Sequence, residues 1–195
     1  MRRIISTTWT TLDGFIAGPN EASPNEAMDW VMVDQEMGQY EDEIVSAADT
    51  LLLGRVTYES FSGSWPHVPD NPNVSEGERE YARKLNAMRK VVFSTTLPSA
   101  DWNNSTLLRE IAPAEIGKMK QEPGRDMLIY GSASLIRALT NHGLIDEYQL
   151  LVHPVILGDG KPLFQDIKAR RQLELVKTKP FSSGVIGLYY RPGGK

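Results

Sequence analysis

The sequence predicts an α/β fold: a mixed, mostly parallel central sheet with helices on both faces and a C-terminal antiparallel hairpin. Three observations carry this reading. Short β-branched or aliphatic runs alternate with stretches of helical periodicity. The runs Thr50-Leu51-Leu52-Leu53 and Asp126-Met127-Leu128-Ile129-Tyr130 have the apolar character of strands covered on both faces. Near the C-terminus, Leu173 to Lys179 and Val185 to Arg191 are joined by Pro180-Phe181-Ser182-Ser183-Gly184, as a hairpin requires. With 195 residues, 41% of them hydrophobic and 24% charged, the chain can bury a sizeable core and is read as one domain over residues 1–195.

The elements follow in order. Arg3 to Trp9 is a strand that leads into a loop marked by Gly14, Gly18 and Pro19. Val33, Met37, Tyr40, Ile44 and Ala48 recur at spacings of three and four, which predicts a helix from about Val33 to Ala47. Thr50 to Leu53, ended by Gly54, is a central strand, and Arg55 to Phe61 a short helix. Ser62 to Gly77 carries Pro66, Pro69 and Pro72 with little periodicity and reads as a long excursion. Tyr81, Leu85 and Met88 mark a helix, Val91 to Ser94 a strand, and Pro113 opens another helix, its missing N–H costing nothing at the first helical position. After the strand Asp126–Tyr130 and Gly131, Ser132 is placed to cap a helix bearing Leu135, Ile136 and Leu139, with Gly143 at its C-terminal cap. Glu147 to Leu157 reads as one long strand, followed by a turn at Gly158 to Pro162.

Composition excludes several function classes. There is no cysteine, so disulfides, thiolate metal sites and cysteine nucleophiles are ruled out. The formal charge of −4 offers no basic surface for nucleic acid. That charge is unevenly spread: Glu26 to Thr50 holds eight acidic residues and no Lys or Arg, leaving 17 acidic against 21 basic elsewhere, where an anionic ligand could bind. No stretch has the roughly 20 apolar residues of a membrane span, and the start lacks the apolar region of a signal peptide. A cytoplasmic protein without membrane contact is expected. His67, His142 and His153 do not cluster, and no metal-ligand spacing occurs, so no metal is expected.

In such sheets ligands bind beyond the carboxyl ends of the strands. Those positions hold Gly54-Arg55-Val56-Thr57, Ser94-Thr95-Thr96 and Gly131-Ser132-Ala133-Ser134. Two of the three open a helix after a glycine, so backbone N–H groups and positive helix ends face one crevice. Small hydroxyls and Arg55 complete a pyrophosphate site, although neither GxGxxG nor GxxxxGK[ST] is present.

These residues carry a resemblance. Thr11-Leu12-Asp13-Gly14-Phe15-Ile16-Ala17, Leu53-Gly54-Arg55-Val56-Thr57-Tyr58-Glu59-Ser60 and Val91-Val92-Phe93-Ser94, in this order, resemble the dihydrofolate reductase superfamily. Gly131-Ser132-Ala133-Ser134-Leu135, Gly143-Leu144-Ile145-Asp146-Glu147 and the segment Pro154 to Phe164 are similar to the reductase domain of the riboflavin-biosynthesis deaminase-reductase and its stand-alone relatives. The resemblance implies a dihydrofolate reductase-like three-layer fold, an NADPH cofactor and hydride transfer to a nitrogen heterocycle, most like 5-amino-6-(5-phosphoribosylamino)uracil reductase. It implies further that Ile16 and Ala17 flank the nicotinamide, and that Gly54, Arg55 and Thr57 hold the pyrophosphate and the adenosine phosphate. Ser94 and Thr95 would take the adenosine ribose with its 2′-phosphate, and Gly131, Ser132, Ala133, Ser134 and Leu135 the pyrophosphate from the other side. A homodimer is implied as well, through Pro154 to Phe164 or the terminal hairpin. The chain is long enough for one reductase domain and leaves no room for a separate deaminase.

Dihydrofolate reductases place an acid on the first helix to help protonate the substrate. Asp34 and Glu36 are the alternatives in the matching turn, both at the flanks of its apolar face. Trp9, Trp30 and Trp65 are candidates for stacking a heterocycle. Strict dihydrofolate reductases have two adjacent glycines where this chain has Tyr130-Gly131, and the arginine they use for the folate carboxylate falls on Met88, next to Arg89. Both departures argue against folate. Dihydrofolate reductase itself and a non-catalytic nucleotide-binding protein of the same fold stay open as alternatives.

Overall fold

The computed structural model describes residues 1–20 and 27–194. Its main sheet has eight strands: β1 (Ile4–Thr11), β3 (Ala48–Gly54), β4 (Arg89–Phe93), β5 (Ser105–Leu108), β6 (Asp126–Tyr130), β7 (Glu147–His153), β9 (Leu173–Pro180) and β10 (Ile186–Pro192). They lie in the order β5-β4-β3-β6-β1-β7-β10-β9, and the six from β5 to β7 run parallel. The hairpin β9–β10 is added antiparallel to β7. A small second sheet joins β2 (Phe15–Ala17) to β8 (Lys161–Pro162). The mixed, mostly parallel sheet and its terminal hairpin are those the hydrophobic pattern predicts.

Helices α1 (Gln35–Ala47), α2 (Arg55–Ser64), α3 (Glu76–Ala87), α4 (Pro113–Gln121) and α5 (Ala133–Asn141) cover the two faces. Side chains alternate across a strand, so β1 sends Ile4 to one core and Ile5 to the other. The first core packs Leu52, Val91 and Ile129 against α4 and α5 through Ile116, Leu135 and Leu139. The second packs Leu51, Leu53, Val92 and Leu128 against α1, α2 and α3 through Val45, Tyr58 and Leu85. A third cluster joins α1 to β7 and the hairpin through Met37, Tyr40, Leu151, Phe181 and Tyr189.

Four local expectations change. The Pro-rich excursion holds a 3-10 helix at Trp65–Asp70, and α3 begins at Glu76, earlier than its apolar spacing marks it, under a capping box of Ser75 and Glu78. Strand β5 adds an edge that the sequence did not show. The long strand from Glu147 stops at His153, because Pro154 has no N–H to continue a ladder. Ser132 does occupy the N-terminal cap position of α5, but its side chain makes no capping bond there. Among the described residues no helix is long and apolar enough to cross a membrane.

Candidate functional site

Strand order places the three strand-end turns side by side: Ser94 after β4, Gly54 at the end of β3, and Gly131 after β6, with the outgoing end of β1 next in line. The Gly54 and Gly131 turns are welded together. Ser132 Oγ accepts the Gly54 N–H at 3.0 Å and donates to Thr57 Oγ1 at 2.8 Å. This explains the missing cap: the hydroxyl that would close the first turn of α5 is spent across the crevice. Helix α2, which starts after Gly54, likewise has no side-chain cap. The first N–H groups of a helix have no intrahelical partner, so two uncapped N-termini of ten and nine residues point into one place. Ser132 pays conformationally for this position, with φ +54° and ψ +56°, the left-handed region that costs an L-residue about 1 kcal/mol. Strain of that kind persists where surrounding bonds over-determine it.

Arg55 stands at the first position of α2, exposed, and among the described residues it is paired with Glu59 at 2.7 Å. Such a surface pair is worth little, so the guanidinium is available to an anion. Ser94 is less free: its Oγ accepts the N–H groups of Thr96 and Leu97 and closes its own turn, while Thr95 is exposed. Ile16 packs against the core that contains Ala133 and Leu135. Its neighbour Ala17 is pinned by close approach, since a Cβ on Gly160 would lie 2.3 Å from the Ala17 carbonyl oxygen. Asp13 ties the same loop to the far segment by accepting the N–H of Gly158 at 2.8 Å and that of Leu157 at 3.3 Å.

The acids proposed from sequence have other employment. Asp34 is the N-cap of α1, accepting the Met37 N–H at 2.8 Å, and it also accepts the Ser183 N–H and the Ser182 hydroxyl of the β9–β10 turn. Those bonds, the Met37 N–H foremost, lower its pKa to about 2. A carboxyl so acidic holds no proton to donate near neutrality. Glu36 accepts the Ser182 N–H at 3.0 Å. Both residues fasten the hairpin to α1. Trp30 is buried, donates its indole N–H to the Ala27 carbonyl and meets the His153 ring edge-on at 5.1 Å, so it offers no face for stacking. His153 is itself fully buried, its ring nitrogens against the carbonyls of Leu151 and Met32.

A different acid lies beside the crevice. Glu41, on α1 one turn after Met37, has a carboxylate oxygen with neither solvent nor hydrogen-bond partner. Burial raises its pKa to about 7, and an indole N–H bond from Trp9 opposes the rise only in part. Its field reaches Tyr81 and Tyr130. Those two phenols share a hydrogen bond of 2.8 Å, and with Phe61 and Trp65 they form a closed set, Phe61 to Tyr130 at 5.8 Å and Trp65 to Tyr81 at 5.3 Å. Tyr130 immediately precedes Gly131, and Phe61 lies one helical turn beyond Thr57. The aromatic group and its acid therefore adjoin the anion cradle. An acid four residues from Met37 and three from Ile44, on an apolar stripe, is the signal that would have found it.

Two helix N-termini without side-chain caps, joined by Ser132 at the ends of parallel strands, with an aromatic cluster and Glu41 beside them, make up the candidate site. The chain belongs to the RibD C-terminal domain family, whose model matches residues 2–187. It is 38% identical to the uncharacterized protein YyaP of Bacillus subtilis (strain 168), over 99% of this chain and 96% of that one. In three dimensions it is similar to a putative riboflavin biosynthesis protein from Shewanella sp. PV-4, with a TM-score of 0.72 at 18% identity, over 98% of this chain and 99% of the other. The dihydrofolate reductase of Enterococcus faecalis, solved with NADP(H), superposes with a TM-score of 0.62 at 14% identity, over 98% and 97% of the two chains. The dihydrofolate reductase-like fold expected from the motifs is thus the observed one.

Proposed function

We propose that the protein is an NADPH-dependent reductase that delivers hydride to a flat nitrogen heterocycle of the pyrimidine class. The observation that carries this reading is the bond from the Gly54 N–H to Ser132 Oγ, which turns two uncapped helix N-termini onto one crevice. The donor set suits a pyrophosphate: backbone N–H groups of α2 and α5, the Thr57 and Ser134 hydroxyls, and Arg55. In this reading Gly54, Arg55 and Thr57 hold the pyrophosphate and adenosine phosphate on one side, and Gly131 to Leu135 on the other. Ser94 and Thr95 border the adenosine ribose, and Ile16 and Ala17 border the nicotinamide. When bound, the dinucleotide supplies the hydride, and the chain orients it and excludes water. Family membership supports the same reading.

The test is a fluorescence titration of the purified chain with NADPH and with NADH. Saturable NADPH binding is expected, and Arg55→Ala should weaken NADPH about tenfold while weakening NADH less, because only NADPH carries the 2′-phosphate. Absence of any change at millimolar NADPH would overturn the proposal. Homodimerisation through Pro154 to Phe164, whose Ile156 and Phe164 are exposed, is part of the proposal and is checked by sedimentation of the parent and of Ile156→Glu.

A further inference from the structure

Two Asp-Gly pairs occur in the sequence, Asp13-Gly14 and Asp159-Gly160, and no Asn-Gly pair. They meet in space. Asp13 lies in the turn between β1 and β2, Asp159 two residues before β8, and the Asp13 carboxylate accepts the N–H groups of Leu157 and Gly158 across the gap. An aspartate followed by glycine is chemically labile, because no glycine side chain shields the amide nitrogen from the neighbouring carboxyl carbon and the glycine backbone turns freely. In a folded chain the attack depends on what holds each carboxyl and each amide.

Exposure does not separate the two pairs, since both aspartates are exposed. Their bonding does. At Asp13-Gly14 both reactants are occupied: the Gly14 N–H donates to the Thr11 carbonyl at 3.1 Å, and the carboxylate accepts from the Thr11 hydroxyl at 2.6 Å as well as from Leu157 and Gly158. Those bonds, the Thr11 hydroxyl foremost, hold the Asp13 pKa below its ordinary value, and an ionised carboxylate offers no good leaving group. At Asp159-Gly160 the reactants hold one another. Among the described residues the Asp159 carboxylate accepts one hydrogen bond, from the Gly160 N–H at 2.8 Å, so the amide nitrogen is turned toward the side chain it would attack. Asn104-Ser105, the next most labile kind of pair, is tied as Asp13 is, with the Asn104 amide on the Ala87 carbonyl and the Ser105 N–H on that of Trp102.

We propose that Asp159 is a modification site, at which the folded protein converts itself through a succinimide into an isoaspartyl form while Asp13 stays intact. In the step, the Gly160 amide nitrogen attacks Cγ of the protonated Asp159 carboxyl. The N–Cγ bond forms, the Cγ–OH bond breaks, and the hydroxyl leaves with the amide proton as water. Water then adds to one carbonyl of the ring. Opening at Cγ restores aspartate, whereas opening at the α-carbonyl leaves the chain running through the β-carbon, one methylene longer. No oxidant, reductant or cofactor is consumed. The product carries a free α-carboxyl, the group that isoaspartyl carboxyl methyltransferases esterify from S-adenosylmethionine.

The extra methylene enters directly before Gly160, which stands so close to the Ala17 carbonyl that no Cβ fits between them. Strand β2 is held on β8 by two register pairs, Phe15 with Pro162 and Ala17 with Lys161. A displaced Gly160 therefore frees β2 from β8.

The experiment ages the full chain at 37 °C and pH 6, with free peptides of residues 9–17 and 155–163 as unfolded references. Methyl transfer from labelled S-adenosylmethionine by a recombinant isoaspartyl methyltransferase reads the product, and fragment-ion mass spectrometry assigns its position. Asp159 is expected to isomerise in the folded chain at no less than about one-tenth of its peptide rate, and Asp13 at no more than about one-hundredth of its own. Asp159→Asn should gain label at least tenfold faster than the parent, because ammonia is lost from an amide more readily than water from a carboxyl. Asp159→Glu should gain none at this position, since a six-membered imide closes far more slowly. The isomerised fraction, separated by hydrophobic interaction chromatography, should melt several degrees below the rest. An Asp159 rate under the stated bound, faster label at Asp13 than at Asp159, or equal melting of the two fractions would each overturn the proposal.

Discussion

Ser132 and Gly54, 78 residues apart, share a 3.0 Å hydrogen bond from the Gly54 N–H to the serine Oγ, made from a serine held in left-handed backbone geometry. The two properties separate by substitution. Ser132→Ala keeps the strained backbone and loses the hydroxyl, so it should cost about 1–2 kcal/mol of stability and about tenfold in NADPH affinity. Ser132→Gly loses the same affinity, but relief of the backbone cost offsets the lost bond, and stability should stay within about 0.5 kcal/mol of the parent. Urea unfolding and cofactor titration of the two variants check the ranking.

Gly160 lets the β2 and β8 segments approach closely. With φ +145° and a Cβ position 2.3 Å from the Ala17 carbonyl oxygen, Gly160→Ala should separate β2 from β8. A loss of more than about 3 kcal/mol is expected. Gly158, at φ +77° with nothing within 4 Å of its Cβ position, is the control: Gly158→Ala should cost only about 1 kcal/mol. Thermal unfolding of both variants distinguishes a clash from a generic glycine effect.

Asp34 makes the fold acid-sensitive. Its pKa is lowered in the folded chain to about 2 from an ordinary 3.8, so its contribution is complete above about pH 4 and disappears as pH falls toward 2. Asp34→Asn should lower the melting temperature at neutral pH and flatten the acid limb of the melting curve. It should leave the pH dependence of turnover where it is, since this carboxylate caps a helix and anchors a hairpin.

Glu41 acts with the opposite sign. Its folded pKa is raised from 4.5 to about 7, so the folded chain holds this proton more tightly than the unfolded one. Stability from this group is full below about pH 4.5 and declines as pH rises to about 7. At 1.36 kcal/mol per pH unit the loss is on the order of 3 kcal/mol at most. Glu41→Gln cannot ionise, so it should melt several degrees higher than the parent at pH 8 and close to it at pH 5.

Much of this is written along the chain, and the exceptions have physical reasons. Strands β3 and β6 are legible because Leu51 to Leu53 and Met127 to Ile129 are buried on both faces and glycines end them. Strand β5 is not, because Ser105 to Leu108 is a half-buried edge with no apolar run. The capping box at Ser75 and Glu78 is a local signal that the three prolines before it obscured. In the site, the cradle residues show themselves by following strands. Glu41 does not, because it stands among eight acidic residues that read as a solvated face. Its neighbours Trp9 and Tyr130 lie 32 residues before it and 89 after it. The tie that occupies Asp34 is equally remote, its Ser183 partner lying 149 residues downstream.

That last distance governs the order in which the chain can become native during synthesis. Strand β1 emerges first, yet its two neighbours are residues 127–130 and 147–153, so the centre of the sheet stays open until three-quarters of the polypeptide has left the ribosome. Helix α1 waits longer still, because Ser182 and Ser183 complete its N-terminal anchorage. A chain cut short before Ser182 would therefore be damaged at its first helix, and a nascent-chain arrest series should show protease resistance of residues 35–47 arriving only with the hairpin.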